Sequence, residues 1–144
     1  MNKELKVEKD IKIDATTSKV WDALINPEIV KKYFFGTELL CDWMVGSEIV
    51  FQGEMEGKSY RDHGRILDIV NEKLIRYSYY SGFSGLEDRP ENYSLVTYTL
   101  QPDDGHTLLY LVQEGFANDE AKEHAVKGWD MVLDNLKRLL EATV

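Results

Sequence analysis

Hydrophobic and polar positions alternate from the start of the chain. Leu5, Val7, Ile11 and Ile13 fall on one parity, with Glu8, Asp10, Lys12 and Asp14 on the other. A period of two marks a strand with one buried face. The pattern changes at Ala15-Thr16-Thr17-Ser18, where a hydroxyl can cap a helix carrying Val20, Trp21, Ala23 and Leu24. A second short helix follows at once. Asn26 suits its cap, Pro27 its first position and Glu28 the positive end of its dipole. Ile29, Val30, Tyr33 and Phe34 then recur at helical spacing, and Gly36 is a fitting stop.

From Thr37 to Phe116 the pattern predicts strands over 37–43, 47–55, 58–70, 73–81, 92–101 and 106–116. Turn signals separate them: Val45-Gly46, Glu56-Gly57, Asn71-Glu72 and Pro102-Asp103-Asp104-Gly105. Short turns between successive strands imply antiparallel neighbours. The Ser81–Asn92 connection alone is long, with Gly82, Gly85 and Pro90 in it. It reads either as an exposed connection or as a lid over a cavity mouth, with Phe83 and Leu86 as apolar tips.

The last segment has the period of a helix. Ala125, Trp129, Val132, Leu133, Leu136 and Leu140 share one face, and Asn118 can cap it. From Asp119 to Ala142 it would extend about 35 Å, enough to cross an antiparallel sheet. Its apolar face needs a partner, and the sheet is the only large one. The expected architecture is α+β: a seven-stranded antiparallel sheet curled around the long C-terminal helix, two short helices closing one end. No repeat or linker divides it, so residues 1–144 are expected to form a single domain.

Composition narrows the function. Seventeen basic against twenty-six acidic residues leave a net charge of −9, with no concentrated basic stretch. Nucleic acid and anionic membrane surfaces both require one, so neither is an expected partner. No apolar run approaches the roughly 20 residues of a membrane-spanning helix. The single cysteine, Cys41, excludes an internal disulfide and a thiolate zinc spacing. With no signal-peptide pattern at the start, a cytoplasmic setting is expected.

Three stretches together resemble a known family. The first is Lys19-Val20-Trp21-Asp22-Ala23-Leu24 followed by Asn26-Pro27-Glu28. The second is Gly64-Arg65-Ile66-Leu67-Asp68-Ile69, then Lys73-Leu74-Ile75-Arg76-Tyr77-Ser78-Tyr79, where the family often has Trp at the position of Tyr79. The third is Glu114-Gly115-Phe116 with His124, Gly128-Trp129, Leu133, Leu136 and Leu140. Their order from about Val7 to Leu140 resembles the activator of heat-shock-protein-90 ATPase homologue family, within the START-like and Bet v 1-like (SRPBCC) superfamily. The resemblance implies a helix-grip fold, often built around an apolar cavity. It implies less about activity, because that superfamily includes ligand carriers, cyclases and co-chaperones.

Eight Tyr, five Phe and three Trp supply the candidate chemistry. Tyr77, Tyr79 and Ser81 share one parity; Val96 and Tyr98 share another. Facing the helix, they would give an apolar interior with phenol hydroxyls along it, or simply a filled aromatic core. Trp21, Trp43, Phe51, Tyr77, Tyr79, Tyr98 and Trp129 are the expected cavity lining. Arg61 and His63 point opposite to Tyr60 and Asp62 on their strand. They share the parity of Leu67 and Ile69, so they are the candidate polar groups of the cavity unless a bulge intervenes. A solvated strand face is the plainer reading of that cluster. Gly128 within the helix is read as close helix–sheet packing, with room for a ligand as the alternative.

No catalytic constellation stands out. Gly82-Phe83-Ser84-Gly85 misses the nucleophile-elbow spacing. No Gly-rich phosphate loop opens a helix, and the pairs Asp103-Asp104 and Glu87-Asp88 sit in expected turns. His63, His106 and His124 lie far apart without metal-ligand spacing, and His106 is expected exposed in a turn. No metal and no cofactor are expected. The leading expectation is therefore binding of a small hydrophobic or aromatic molecule. A chaperone-type protein partner is the second, and an acid–base enzyme using Arg61, His63 or a tyrosine the third.

Overall fold

The computed structural model describes residues 2–81 and 85–142; the expected lid tip at Phe83 and the Gly82–Ser84 part of the elbow test lie outside them. Strand β1 (Asn2–Ile13) leads into helices α1 (Thr17–Ile25) and α2 (Pro27–Tyr33). Then come β2 (Glu38–Cys41), β3 (Glu48–Met55), β4 (Lys58–Val70), β5 (Leu74–Tyr79), β6 (Ser94–Asp103), β7 (His106–Phe116) and α3 (Asp119–Glu141). All pairings are antiparallel in the order β1-β7-β6-β5-β4-β3-β2. The curved sheet and long helix make the helix-grip fold.

Each helix starts where its side chains can satisfy the free N–H groups. Thr16 Oγ1 accepts from the Lys19 N–H at 3.3 Å. Asn26 Oδ1 accepts from Glu28 at 3.0 Å, and Asn118 Oδ1 from Ala121 at 2.9 Å. Among the described residues no helix is long and apolar enough to cross a membrane.

Several strand ends differ from expectation by one or two residues. β2 stops at Cys41 because Trp43 takes φ +58°, a left-handed turn, while its N–H bonds back to Cys41 Sγ. β6 runs on through Pro102 to Asp103, which pairs with His106 across a two-residue turn of Asp104 and Gly105, both at positive φ. Pro102 lies past the end of β5, so its missing N–H costs no ladder bond. His106 opens β7, as the expected strand 106–116 has it, but is half-buried instead of exposed, its Nδ1 2.9 Å from Asp14 Oδ1.

The β4–β5 pairing steps from Ile66↔Tyr77 to Asp68↔Arg76, which leaves Leu67 as one extra residue in β4. Such a bulge reverses which parity faces the core. Before it, Tyr60, Asp62 and Ile66 lie on the inner face of the sheet; after it, Ile69 does.

Helix α3 divides into two halves. Its C-terminal half buries Val132, Leu133, Leu136 and Leu140. Lys137 donates to the Lys12 carbonyl at 2.7 Å, and Glu141 Oε2 accepts from the Asp14 N–H at 2.8 Å, pinning this half to the end of β1. The N-terminal half presents Ala121, Ala125 and Gly128 at i, i+4 and i+7. Small side chains there leave space that large ones fill further along.

Candidate functional site

That space is a cavity of about 640 Å³ between the inner face of the sheet and the first half of α3. Phe51, Tyr77, Tyr79 and Trp129 line it, together with Phe34 from the end of α2. Phe34 stacks on Phe51 at 5.7 Å between ring centres and meets Trp129 edge-on at 6.1 Å. An aromatic frame of this kind is stiff, because each ring is held by its neighbours. The mouth lies at the N-terminus of α3, beside Asn92, Asn118, Glu120 and His124.

Polar groups cross the cavity wall in one sequence. Trp129 Nε1 donates to Gln113 Oε1 at 2.7 Å, and Gln113 Nε2 donates to Ser94 Oγ at 2.9 Å. On β5, the Tyr79 hydroxyl donates to Asp62 Oδ2 at 2.7 Å. Thr37 and Tyr60 share a hydroxyl–hydroxyl bond of 2.6 Å at the same wall. Gln113 is buried, so its two bonds satisfy an amide that would otherwise be costly to hold there.

The nine expected site residues divide by position. Phe51, Tyr77, Tyr79 and Trp129 are brought together around the cavity. Trp43 and Tyr98 lie behind Phe51 and Tyr77, around a residual void of only about 10 Å³. Trp21 is buried in the core and lines neither space. Arg61 and His63 occupy the opposite face of β4, because the Leu67 bulge turns Tyr60 and Asp62 inward instead. Arg61 pairs with Glu48 at 3.3 Å, and His63 Nε2 with Asp88 at 3.1 Å. Asp88 also accepts from the Tyr93 hydroxyl, and Tyr80 donates to the Leu86 carbonyl at 2.5 Å. The described part of the β5–β6 connection is thus tied to His63 and Tyr80 through Asp88 and the Leu86 carbonyl, while its Ser81, Leu86 and Asn92 line the cavity.

Asp62, Gln113, Ser94 and Phe34 were not among the expected lining residues. The parity of Tyr60 and Asp62 was readable; the bulge that aims them inward was not. Gly128 is a correction to the packing reading: a Cβ built there meets nothing within 4 Å. Close approach does not require this glycine, and the space beside it belongs to the cavity. Among the described residues no cluster of three or more His, Cys, Asp or Glu could hold a metal ion.

Burial sets the chemistry of the phenols. It raises Tyr77, Tyr33 and Tyr98 well above 10.0, and it raises Tyr79 likewise, with the adjacent Asp62 charge adding to the effect. Burial and the Asp88 bond push Tyr93 to about 12. These hydroxyls stay neutral and serve as hydrogen-bonding groups. An alkaline transition follows. The unfolded chain releases phenol protons near pH 10 while the folded protein keeps them, so the unfolded state binds fewer protons above that pH and stability falls as pH rises. Absorbance at about 295 nm should show Tyr33, Tyr77, Tyr79 and Tyr98 ionising only together with loss of ellipticity. Smooth titration of all eight tyrosines near pH 10 in folded protein would contradict this burial.

Comparison with known proteins agrees with this geometry. The family model described as Activator of Hsp90 ATPase homolog 1-like protein matches residues 14–141. ChR145 from Cytophaga hutchinsonii has a similar solved structure, with 39% identity, TM-score 0.83, and 99% of this chain and 97% of that chain covered. CV1439 from Chromobacterium violaceum is 25% identical at TM-score 0.78, covering 96% and 98%. The Aha1 dimer from Colwellia psychrerythraea shares the fold at 18% identity and TM-score 0.73, over 94% and 96% of the chains. No curated protein matches by sequence.

Proposed function

The chain belongs to the Activator of Hsp90 ATPase homolog 1-like family, and from that premise we propose that it is a single-domain binding protein for a small apolar or aromatic molecule. The ligand sits between the sheet and α3, against Phe51, Tyr77, Tyr79 and Trp129. One observation carries the reading: about 640 Å³ of space is left open in a frame of aromatic rings. That volume falls within the range of small-molecule sites. Fully packed interiors keep few voids larger than a water molecule, so a space of this size is not ordinary packing slack. Burial of apolar ligand surface, at about 25 cal/mol per Å², supplies the driving force before association costs.

Thermal unfolding with a panel of neutral aromatic compounds tests it. A compound at 100 times its Kd adds about 2.7 kcal/mol, a rise in Tm of several degrees. A flat response to naphthalene, indole and flavone scaffolds alike would overturn the reading.

A protein partner of chaperone type is the second reading. Exposed Phe35, Leu40, Met44 and Val45 around the short edge strand β2 favour it. Stimulation of a purified heat-shock-protein-90 ATPase that is lost in Met44→Glu and Val45→Glu would establish it, and unchanged ATPase turnover would end it.

A further inference from the structure

We propose that the cavity selects aromatic ligands bearing a cationic or hydrogen-bond-donating head, such as arylalkylamines, and disfavours carboxylates. The inference rests on the binding-protein reading and adds the chemical class of its ligand. Among the described residues the acidic lining side chains are Asp62 and Glu120, His124 stands with Glu120 at the mouth, and neither Lys nor Arg lines the cavity. Asp62 sits on the apolar wall beside Phe51 and Tyr79, half-buried, where water screens a charge less than at the open surface.

The neutral polar groups point the same way. The Trp129 indole N–H is spent on Gln113, the Gln113 amide nitrogen donates to Ser94, and the Tyr79 hydroxyl donates to Asp62. These three donors are thus directed at the protein's own acceptors. A carboxylate such as Asp62 carries roughly four lone-pair sites, so a ligand head can add to the partners it already has, Tyr79 among them. An ammonium head placed there gains a charge-assisted bond. A carboxylate head would lose its hydration beside a like charge.

The N-terminus of α3 at the mouth opposes this preference, because its free N–H groups favour anions. That dipole is worth about half a charge. It is already met by the Asn118 cap and by Asp119 and Glu120 in the first turn. Acidic charge wins at both ends of the cavity.

Three probes with one naphthalene body separate the possibilities: naphthylmethylammonium, naphthylmethanol and naphthoate, titrated at pH 7 with Trp fluorescence and Tm as readouts. The ammonium is expected to bind at least about tenfold tighter than the carboxylate, with the alcohol between them. Asp62→Asn, which keeps an oxygen for Tyr79, should remove most of that advantage. Added salt should weaken the ammonium in the wild-type protein and spare the alcohol, a test independent of how the variant folds. Naphthoate binding as tightly as the ammonium, or a preference unaffected by salt and by Asp62→Asn, overturns the charge selection while the cavity reading stands. Failure of all three probes, the neutral alcohol included, overturns both.

Discussion

Replacing Gly64 with alanine is expected to lower the stability of the folded protein by about 3 kcal/mol or more. A Cβ at this position would lie 1.7 Å from the Ser78 carbonyl oxygen and 2.5 Å from its carbonyl carbon. Those are backbone atoms of β5, itself held against β6 through the Ser78↔Leu95 pair. No side-chain rotation can relieve such an overlap, so the two strands must part. Ser78 Oγ also accepts the Arg65 N–H at 3.0 Å, which ties the crossing from a second direction. Asp62 and Tyr79 flank the crossing, and a forced separation would stretch their 2.7 Å bond. Thermal denaturation should show Tm lowered by about 10 °C or more. A fall of under about 0.5 kcal/mol, within the scatter of neutral surface substitutions, would mean the strands do not approach as described.

Filling the space beside Gly128 should do the opposite to the fold and far more to binding. Gly128→Phe places a ring where an added Cβ meets no neighbour, on the helix side of the cavity. Affinity for naphthylmethanol is expected to fall on the order of 100-fold, equal to about 2.7 kcal/mol, while the protein stays folded. Gly128→Ala separates the two effects: it should raise stability by about 1 kcal/mol through helix propensity and leave most of the volume free. Retention of wild-type affinity in Gly128→Phe would show that the ligand sits elsewhere.

These two glycines show what the amino-acid pattern can and cannot disclose. The alternation at Leu5–Ile13, the Asn26-Pro27-Glu28 start and the 3.6-residue face from Ala125 to Leu140 are local signals, and each specifies its element directly. Element order then leaves little choice of architecture, since α3 has only the sheet to bury its apolar face against. Parity likewise places Phe51, Tyr77 and Tyr79 on the inner face. The remainder depends on partners distant in sequence. Nothing near Leu67 announces the extra residue that turns Asp62 inward and Arg61 outward; it exists only in the pairing of β4 with β5. The Trp129–Gln113 bond joins residues 16 apart on different elements. Gly64 and Gly128 look alike in sequence, yet one sits against backbone and the other beside open space. Whether sixteen aromatic rings fill an interior or frame a cavity is decided by that three-dimensional packing, not by their number.

On this reading one small apolar molecule occupies the space between the sheet and α3. Titrating isotope-labelled protein with naphthylmethanol and following its amide and indole resonances tests this most directly. Saturable shifts are expected at Phe51, Tyr79, Gln113 and the Trp129 indole N–H, with the outer-face residues Arg61 and His63 unmoved. Shifts confined to the exposed Leu40, Met44 and Val45 region, or no saturable shift at all, would contradict it.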